Sequence, residues 1–429
     1  MFILRSLIGS LQTEFRKAKE RGALFAYTLI AIILPLTASR ASGLLRSLVT
    51  LFGLKITTRR FYIFMASPKI PWERLWLAMW KLIQDPSTNG RLLLAGDDSI
   101  NPKTGKKIHG CHSFFDHAAK QNQAPYAWSQ NIVQLGLLKL IHGRFACLPL
   151  AWCFYRLQKD TQNGFQTKIE QMVAMVIKVS QFFQYPLLLI TDSWFGNNGV
   201  FAPLRKQLGL RVHMLSRFRT NSNLFALPKV KTQKGRGRPK KYGKKRGTAK
   251  TLSSRLKSQA KRFSVFLYGK KREVSAVDGV FIVKTLKVPV RVVWIFYRKQ
   301  WVALFTTDLT LTVEQIIEYY GARWKIESGF KELKQEIGSN QTQAWRERSV
   351  KNHLHFCMMA VTFTWIYASR LATSPVRRHL SGTREHYAFS DVRRLITEAV
   401  AQKDFNDVLP KRDNTEKNNL IKEILKLAA

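Results

Sequence analysis

The chain has 429 residues, of which 45% are hydrophobic; 71 are Lys or Arg and 27 are Asp or Glu, a formal charge of +44. The apolar content excludes a disordered chain, and the length allows a sizeable core and roughly two to four domains. Such a surplus of cations is hard to keep compact without a polyanion, nucleic acid first and an anionic membrane surface second. The four cysteines have no zinc-site spacing, and a chain this long needs no disulfide staples, which points to a reducing cytoplasm. Cys111 stands beside His112, but no partner cluster accompanies them.

Residues 1 to about 85 read as helical. The uncharged run from Gly22 to Ser39 is at the lower edge of a membrane span, and Pro35 interrupts it. It reads as a buried helix, with membrane insertion as the competing possibility. Trp72, Leu75, Trp76, Met79 and Ile83 recur at helical spacing after Pro71, and Pro86, Ser87, Asn89 and Gly90 then mark a boundary.

From Arg91 the pattern becomes strand. RLLLAGDDS is an apolar run ending in Asp97 and Asp98, and GRFACLPLAWCFYRL reads as one or two further strands. A helix from Phe165 to Gln184 leads to YPLLLITDSW, a second apolar run ending in Asp192. After a further helix comes LRVHMLSRF. Continuous apolar runs separated by helices suit a sheet buried on both faces.

Residues 219 to about 260 differ from what precedes them: from Lys229 to Lys250, 11 of 22 residues are Lys or Arg and none is acidic, which reads as a flexible basic tract. Four strand-like segments follow, up to QWVALFTTD. The chain turns helical after Leu311, and a second, aromatic helix runs from about Ser349 to Leu371. The last 55 or so residues read as helical and charged.

The run YYGARWKIESGFKELKQEIG carries the most chemistry. On a helix, Tyr320, Arg323, Glu327 and Lys334 fall within about 60° of arc, beside an apolar stripe of Ile326, Phe330, Leu333 and Ile337. A carboxylate flanked by cations suits a metal-dependent phosphodiester site; a solvated Arg–Glu pair is the plain alternative. Mg²⁺ and Mn²⁺ take oxygen ligands, and two such ions clamp the attacking and leaving oxygens of an in-line displacement. Asp97 or Asp98, together with Asp192, supplies the other carboxylates.

The spacing Tyr320-x2-Arg323-x3-Glu327-x6-Lys334 resembles the Y-R-E-K signature of DDE transposases of bacterial insertion sequences, in the insertion-sequence-four group. DDSINPKTGKKIHG and LLLITDSW resemble that family's two aspartate motifs. The resemblance spans roughly Arg91 to Leu371. It implies an α/β, RNase H-like mixed sheet with flanking helices and a β-rich insertion before the last core helix. The expected divisions are a helical DNA-end-binding domain (1–88), a first core part (89–218), a basic linker and β-rich insertion (219–305), a second core part (306–371) and a helical tail (372–429).

The resemblance further implies nicking at element ends and strand transfer into target DNA, with two Mg²⁺ or Mn²⁺ ions held by Asp98, Asp192 and Glu327. Asp98 is preferred over Asp97 because the family motif usually places a hydroxyl residue, here Ser99, after the ligand. Tyr320, Arg323 and Lys334 would contact the phosphates near the terminal nucleotide, the partners being double-stranded DNA of the element ends and of the target. Trp194 and Trp324 read mainly as core, with base stacking as the other possibility. Gly237-Arg238-Pro239 resembles an AT-hook, so Arg236 and Arg238 are candidate DNA contacts, although a generic basic linker would look the same. A homodimer, an absence of membrane association and a nucleoid-associated cytoplasmic location follow from the same resemblance. The alternative function is a transposase-derived DNA-binding protein without turnover.

Overall fold

Five helices come first in the computed structural model, which describes residues 3–36, 39–116, 119, 121–161, 164–228, 240–298, 300–378 and 386–401. They are α1 (Ile3–Gln12), α2 (Lys19–Ile33), α3 (Ala41–Thr50), α4 (Thr58–Met65) and α5 (Trp72–Lys81). The apolar run expected to be a buried helix supplies most of α2, whose last nine residues are all buried. Among the described residues, no helix is long and apolar enough to cross a membrane.

The sheet begins with β1 (Leu92–Pro102), β2 (Cys111–Phe115), β3 (Tyr126–Ile141) and β4 (Arg144–Tyr155). The β3–β4 turn is His142-Gly143, with φ of 46° and 74°. Two successive positive φ values give the tight hairpin that fixes the register of these long strands. Next come α6 (Lys168–Phe182), β5 (Leu187–Thr191), α7 (Asn198–Leu208) and β6 (Val212–Arg217). Thr167 and Glu170 form a reciprocal capping box that starts α6.

The basic tract is flanked by short ordered pieces, β7 (Asn223–Phe225), β8 (Lys245–Thr248) and α8 (Ala249–Leu256). The expectation of a flexible tract therefore fails for its described C-terminal part. There the buried Trp294 indole donates to the Ala249 carbonyl at 3.0 Å and ties α8 to the sheet. β9 (Lys261–Leu267), β10 (Lys270–Val283), β11 (Pro289–Tyr297) and β12 (Gln300–Thr306) complete the strands. The last helices are α9 (Val313–Lys331), α10 (Glu347–Arg370) and α11 (Phe389–Ala401).

The described strands form one 12-stranded sheet in the order β2-β3-β1-β5-β6-β12-β11-β10-β7-β8, with β4 on β3 and β9 on β10. β1 is antiparallel to β3 and parallel to β5, and β5 is parallel to β6. This arrangement, flanked by helices, is consistent with an RNase H-like DDE fold. β7 to β12 extend the same sheet, because β12 pairs with β6.

Central strands buried on both faces need apolar side chains in both directions. Leu93, Ala95, Leu188, Ile190 and Leu215 pack with Ile316, Ile326 and Phe330 of α9. The alternate residues Leu92, Leu94, Leu187 and Leu189 share the other core with Met172 and Val176 of α6. That larger core also contains residues of α1 to α5 and of α10, so these leading helices are packed into the body of the fold.

Candidate active site

Parity along β1 decides which aspartate faces α9. Side chains alternate across a strand, so Asp97 shares the face of Leu93 and Ala95. The parallel register that pairs Gly96 with Thr191 brings Asp97 and Asp192, one residue on, side by side. Asp192 sits where β5 ends. Its Oδ1 accepts from the backbone N–H groups of Trp194 and Phe195 at 3.1 and 3.0 Å, which fixes the carboxylate.

The turn after Asp192 is tight. A Cβ on Gly196 would lie 2.0 Å from Ser216 Oγ and 2.8 Å from the Asp192 carbonyl oxygen, so only glycine fits. The Ser216 hydroxyl donates to that same carbonyl at 2.7 Å.

Helix α9, started by a Thr312–Gln315 capping box, lies over this face and supplies the cation. Arg323 donates to Asp97 Oδ2 at 3.2 Å and to Glu327 Oε1 at 2.7 Å, so one guanidinium bridges two carboxylates. Its own charge is almost fully buried. Tyr320 stacks under the guanidinium at 5.5 Å, and burial raises its hydroxyl pKa first of all. Arg217, at the end of β6, and Asp192 also act on Tyr320 electrostatically.

The Asp97 carboxyl is pushed up to about 7, by burial first and then by the negative charge of Asp192. Arg323 pulls it down, but less than those two effects together. The acid stays raised beside an arginine because burial, with the neighbouring Asp192 charge, outweighs that one cation.

Lys334 does not lie on a continuous α-helix. A π turn, Glu332–Glu336, follows α9, as π turns often do at functional sites. It carries Lys334 to the same sheet face, where Nζ donates to Ser99 Oγ at 2.6 Å. Burial lowers the Lys334 pKa to about 8.

Asp98, the aspartate favoured from the motif, is not in this cluster. It points to the α6 face, where its Oδ2 accepts from Lys168 at 2.7 Å and from Asn131 at 2.8 Å. Lys168 also lies 5.8 Å from the ring of Trp194. Trp194 and Trp324 are 44% and 54% exposed, so neither is the core residue expected. Arg236 and Arg238 lie outside the described residues. Arg217, Lys168 and Gln134, which pairs with Asp97 across β3, were not singled out from the sequence. Arg217 had no signal of its own among 71 cations.

Among the described residues, no group of three or more His, Cys, Asp or Glu side chains is gathered closely enough to hold a metal ion as it stands. The Arg323 guanidinium occupies the space between Asp97 and Glu327. Cys111 is no rival nucleophile, because burial pushes its thiol up to about 11.

Residues 11–269 match the family model described as DDE superfamily endonuclease. The chain belongs to this family. The match includes Asp97, Asp98 and Asp192. Residues 241–372, with Tyr320, Arg323, Glu327 and Lys334, match the model for the archaeal transposase ISC1217. No curated protein matches the chain. Together the two family matches support a transposase-type function for this DDE endonuclease.

Proposed function

We propose that this DDE endonuclease is the transposase of an insertion sequence, nicking DNA at the element ends and joining the freed 3′ ends to target DNA. The observation that carries the reading is the side-by-side pair Asp97 and Asp192, joined to Glu327 through Arg323. Asp97, rather than Asp98, is then the first catalytic carboxylate.

The donor set fits divalent ions of the Mg²⁺ or Mn²⁺ type. The three groups are hard oxygen donors, and the raised Asp97 carboxyl marks a place where further positive charge is favourable. Asp97, Asp192 and Glu327 would hold the ions, which would polarise the phosphodiester and stabilise the attacking and leaving oxygens. Arg323 exchanges its carboxylate partners for the phosphate of the bound strand. Tyr320 keeps the guanidinium oriented, and Arg217 and Lys334 take neighbouring phosphates. Arg236 and Arg238 add backbone contacts from the basic tract. The N-terminal helices contribute to recognition of the ends, and a homodimer brings two ends together. Membership of the insertion-sequence-four group rests on the Y-R-E-K spacing, and a nucleoid-associated cytoplasmic location follows from the DNA substrate.

The test is a cleavage and strand-transfer assay with the native element ends. Asp97→Asn, Asp192→Asn and Glu327→Gln each abolish Mg²⁺- or Mn²⁺-dependent cleavage while DNA binding persists. Normal turnover in any of them removes that residue from the site. DNA binding by the unmodified chain with no cleavage under any divalent ion favours the DNA-binding alternative.

A further inference from the structure

Gln134 is buried to 1% exposure on β3, and neither its amide oxygen nor its amide nitrogen has a hydrogen-bond partner. A buried polar group normally has a partner, and an amide with both ends unpaired is expensive to keep. The register places Gln134 directly opposite Asp97 on one side and Trp152 of β4 on the other. Residues facing each other in this way share a sheet face, with Cβ atoms roughly 5 Å apart. The Trp152 indole N–H is also buried without a partner. Three unused polar atoms therefore lie in one row that ends at a carboxylate proposed to hold metal.

Asp97 receives two hydrogen bonds in this state. Oδ1 accepts from the Asp98 backbone N–H at 2.9 Å, and Oδ2 accepts from Arg323. An ion bound between Asp97 and Glu327 displaces the Arg323 guanidinium that now bridges them, and Asp97 then loses the side-chain donor that orients it. We infer that Gln134 is a positioning residue that takes over this task. Its Nε2 donates to Asp97 while its Oε1 accepts from the Trp152 indole. One side-chain rotation would satisfy all three unused atoms and hold the carboxylate against the ion. Outer hydrogen bonds of this kind fix ligating carboxylates, and their loss typically weakens metal affinity 10–100-fold. The inference rests on the metal-dependent reading above.

The experiment is Mn²⁺ titration of the full chain without DNA, followed by electron paramagnetic resonance, beside melting curves in EDTA. Asp97→Asn serves as the control that tests the metal site itself. Gln134→Leu is expected to bind Mn²⁺ roughly 10–100-fold more weakly. Its melting temperature in EDTA should hold or rise, because an unpaired amide has been removed. Trp152→Phe keeps the ring packing and removes only the N–H, and it should weaken Mn²⁺ binding by a smaller factor. This second variant keeps the inference testable if Gln134→Leu does not fold. Unchanged Mn²⁺ affinity in Gln134→Leu, with Asp97→Asn impaired, overturns the role of Gln134 alone. Wild-type affinity in Asp97→Asn overturns the metal site, and this inference with it.

Discussion

Replacing Asp97 with Asn should make the protein more stable at pH 8 while destroying its activity. The carboxyl is raised from 3.8 to about 7 by burial and by Asp192. Between those values the folded state binds more protons than the unfolded one. Stability present below pH 4 is therefore lost as pH rises toward 7. Three pH units at ~1.36 kcal/mol each give a cost of at most about 4 kcal/mol, fully developed at pH 8 and absent at pH 4. Asparagine does not ionise and avoids that cost. At ~2.1 cal/mol/K per residue, a chain of this length gains roughly 1 °C per kcal/mol, so the variant should melt up to about 4 °C higher at pH 8. Scanning calorimetry in EDTA at pH 4 and pH 8 measures the difference. Adding Mn²⁺ should stabilise the wild type only, narrowing the gap, because an ion bound by the folded state alone raises its stability by mass action. Equal or lower stability of the variant at pH 8 would refute the picture of two crowded carboxylates.

Further outcomes are expected elsewhere in the site. Asp98→Asn should keep cleavage within about tenfold of wild type, since Asp98 is committed to Lys168 and Asn131; complete loss of cleavage would restore Asp98 as the ligand. Lys334, lowered to about 8, is charged below that value and neutral above it. Affinity for a phosphate at a cleaved end should therefore fall roughly tenfold from pH 7 to 9, and Lys334→Arg should flatten the dependence, as read by fluorescence anisotropy. Gly196→Ala forces a Cβ against Ser216 and the Asp192 carbonyl, so it should cost about 1–3 kcal/mol in thermal unfolding and depress cleavage by moving Asp192; a wild-type melting curve would show that the turn has slack.

Sequence pattern located β1, β5, α9 and α10, because their runs are long, apolar and bounded by turn formers. It also singled out Asp192, Arg323 and Glu327, and the structure pairs the last two. It favoured Asp98, whereas the structure turns Asp97 toward α9 and Asp98 toward Lys168 and Asn131, and the reason is physical. A central strand covered on both faces shows no polar alternation, so Leu92 through Ala95 give no clue to which parity meets α9. Only the position of the helix shows which aspartate faces it. The 16-residue β3 went unnoticed for a related reason: polar residues such as Gln130, Asn131 and Gln134 interrupt its apolar run yet are buried. Gln134 belongs to this class, and its position becomes informative only when Asp97 is seen opposite. The π turn under Lys334 was equally hidden, since the helical stripe continues through it on paper.

The union of α2 and α10 has a consequence for shortened forms of the chain. Phe25 meets Phe356 at 5.3 Å, the Trp72 indole donates to Asn352 at 2.7 Å, and Asn352 in turn donates to the carbonyls of Met65 and Ser67. A product starting near residue 89 would strip Phe25, Phe64 and Trp72 from Phe356 and leave Asn352 without its partners, on a helix built for enclosure. Such a fragment is expected to aggregate. Trimming the leading helices is therefore no route to a soluble, self-limiting inhibitor in this protein.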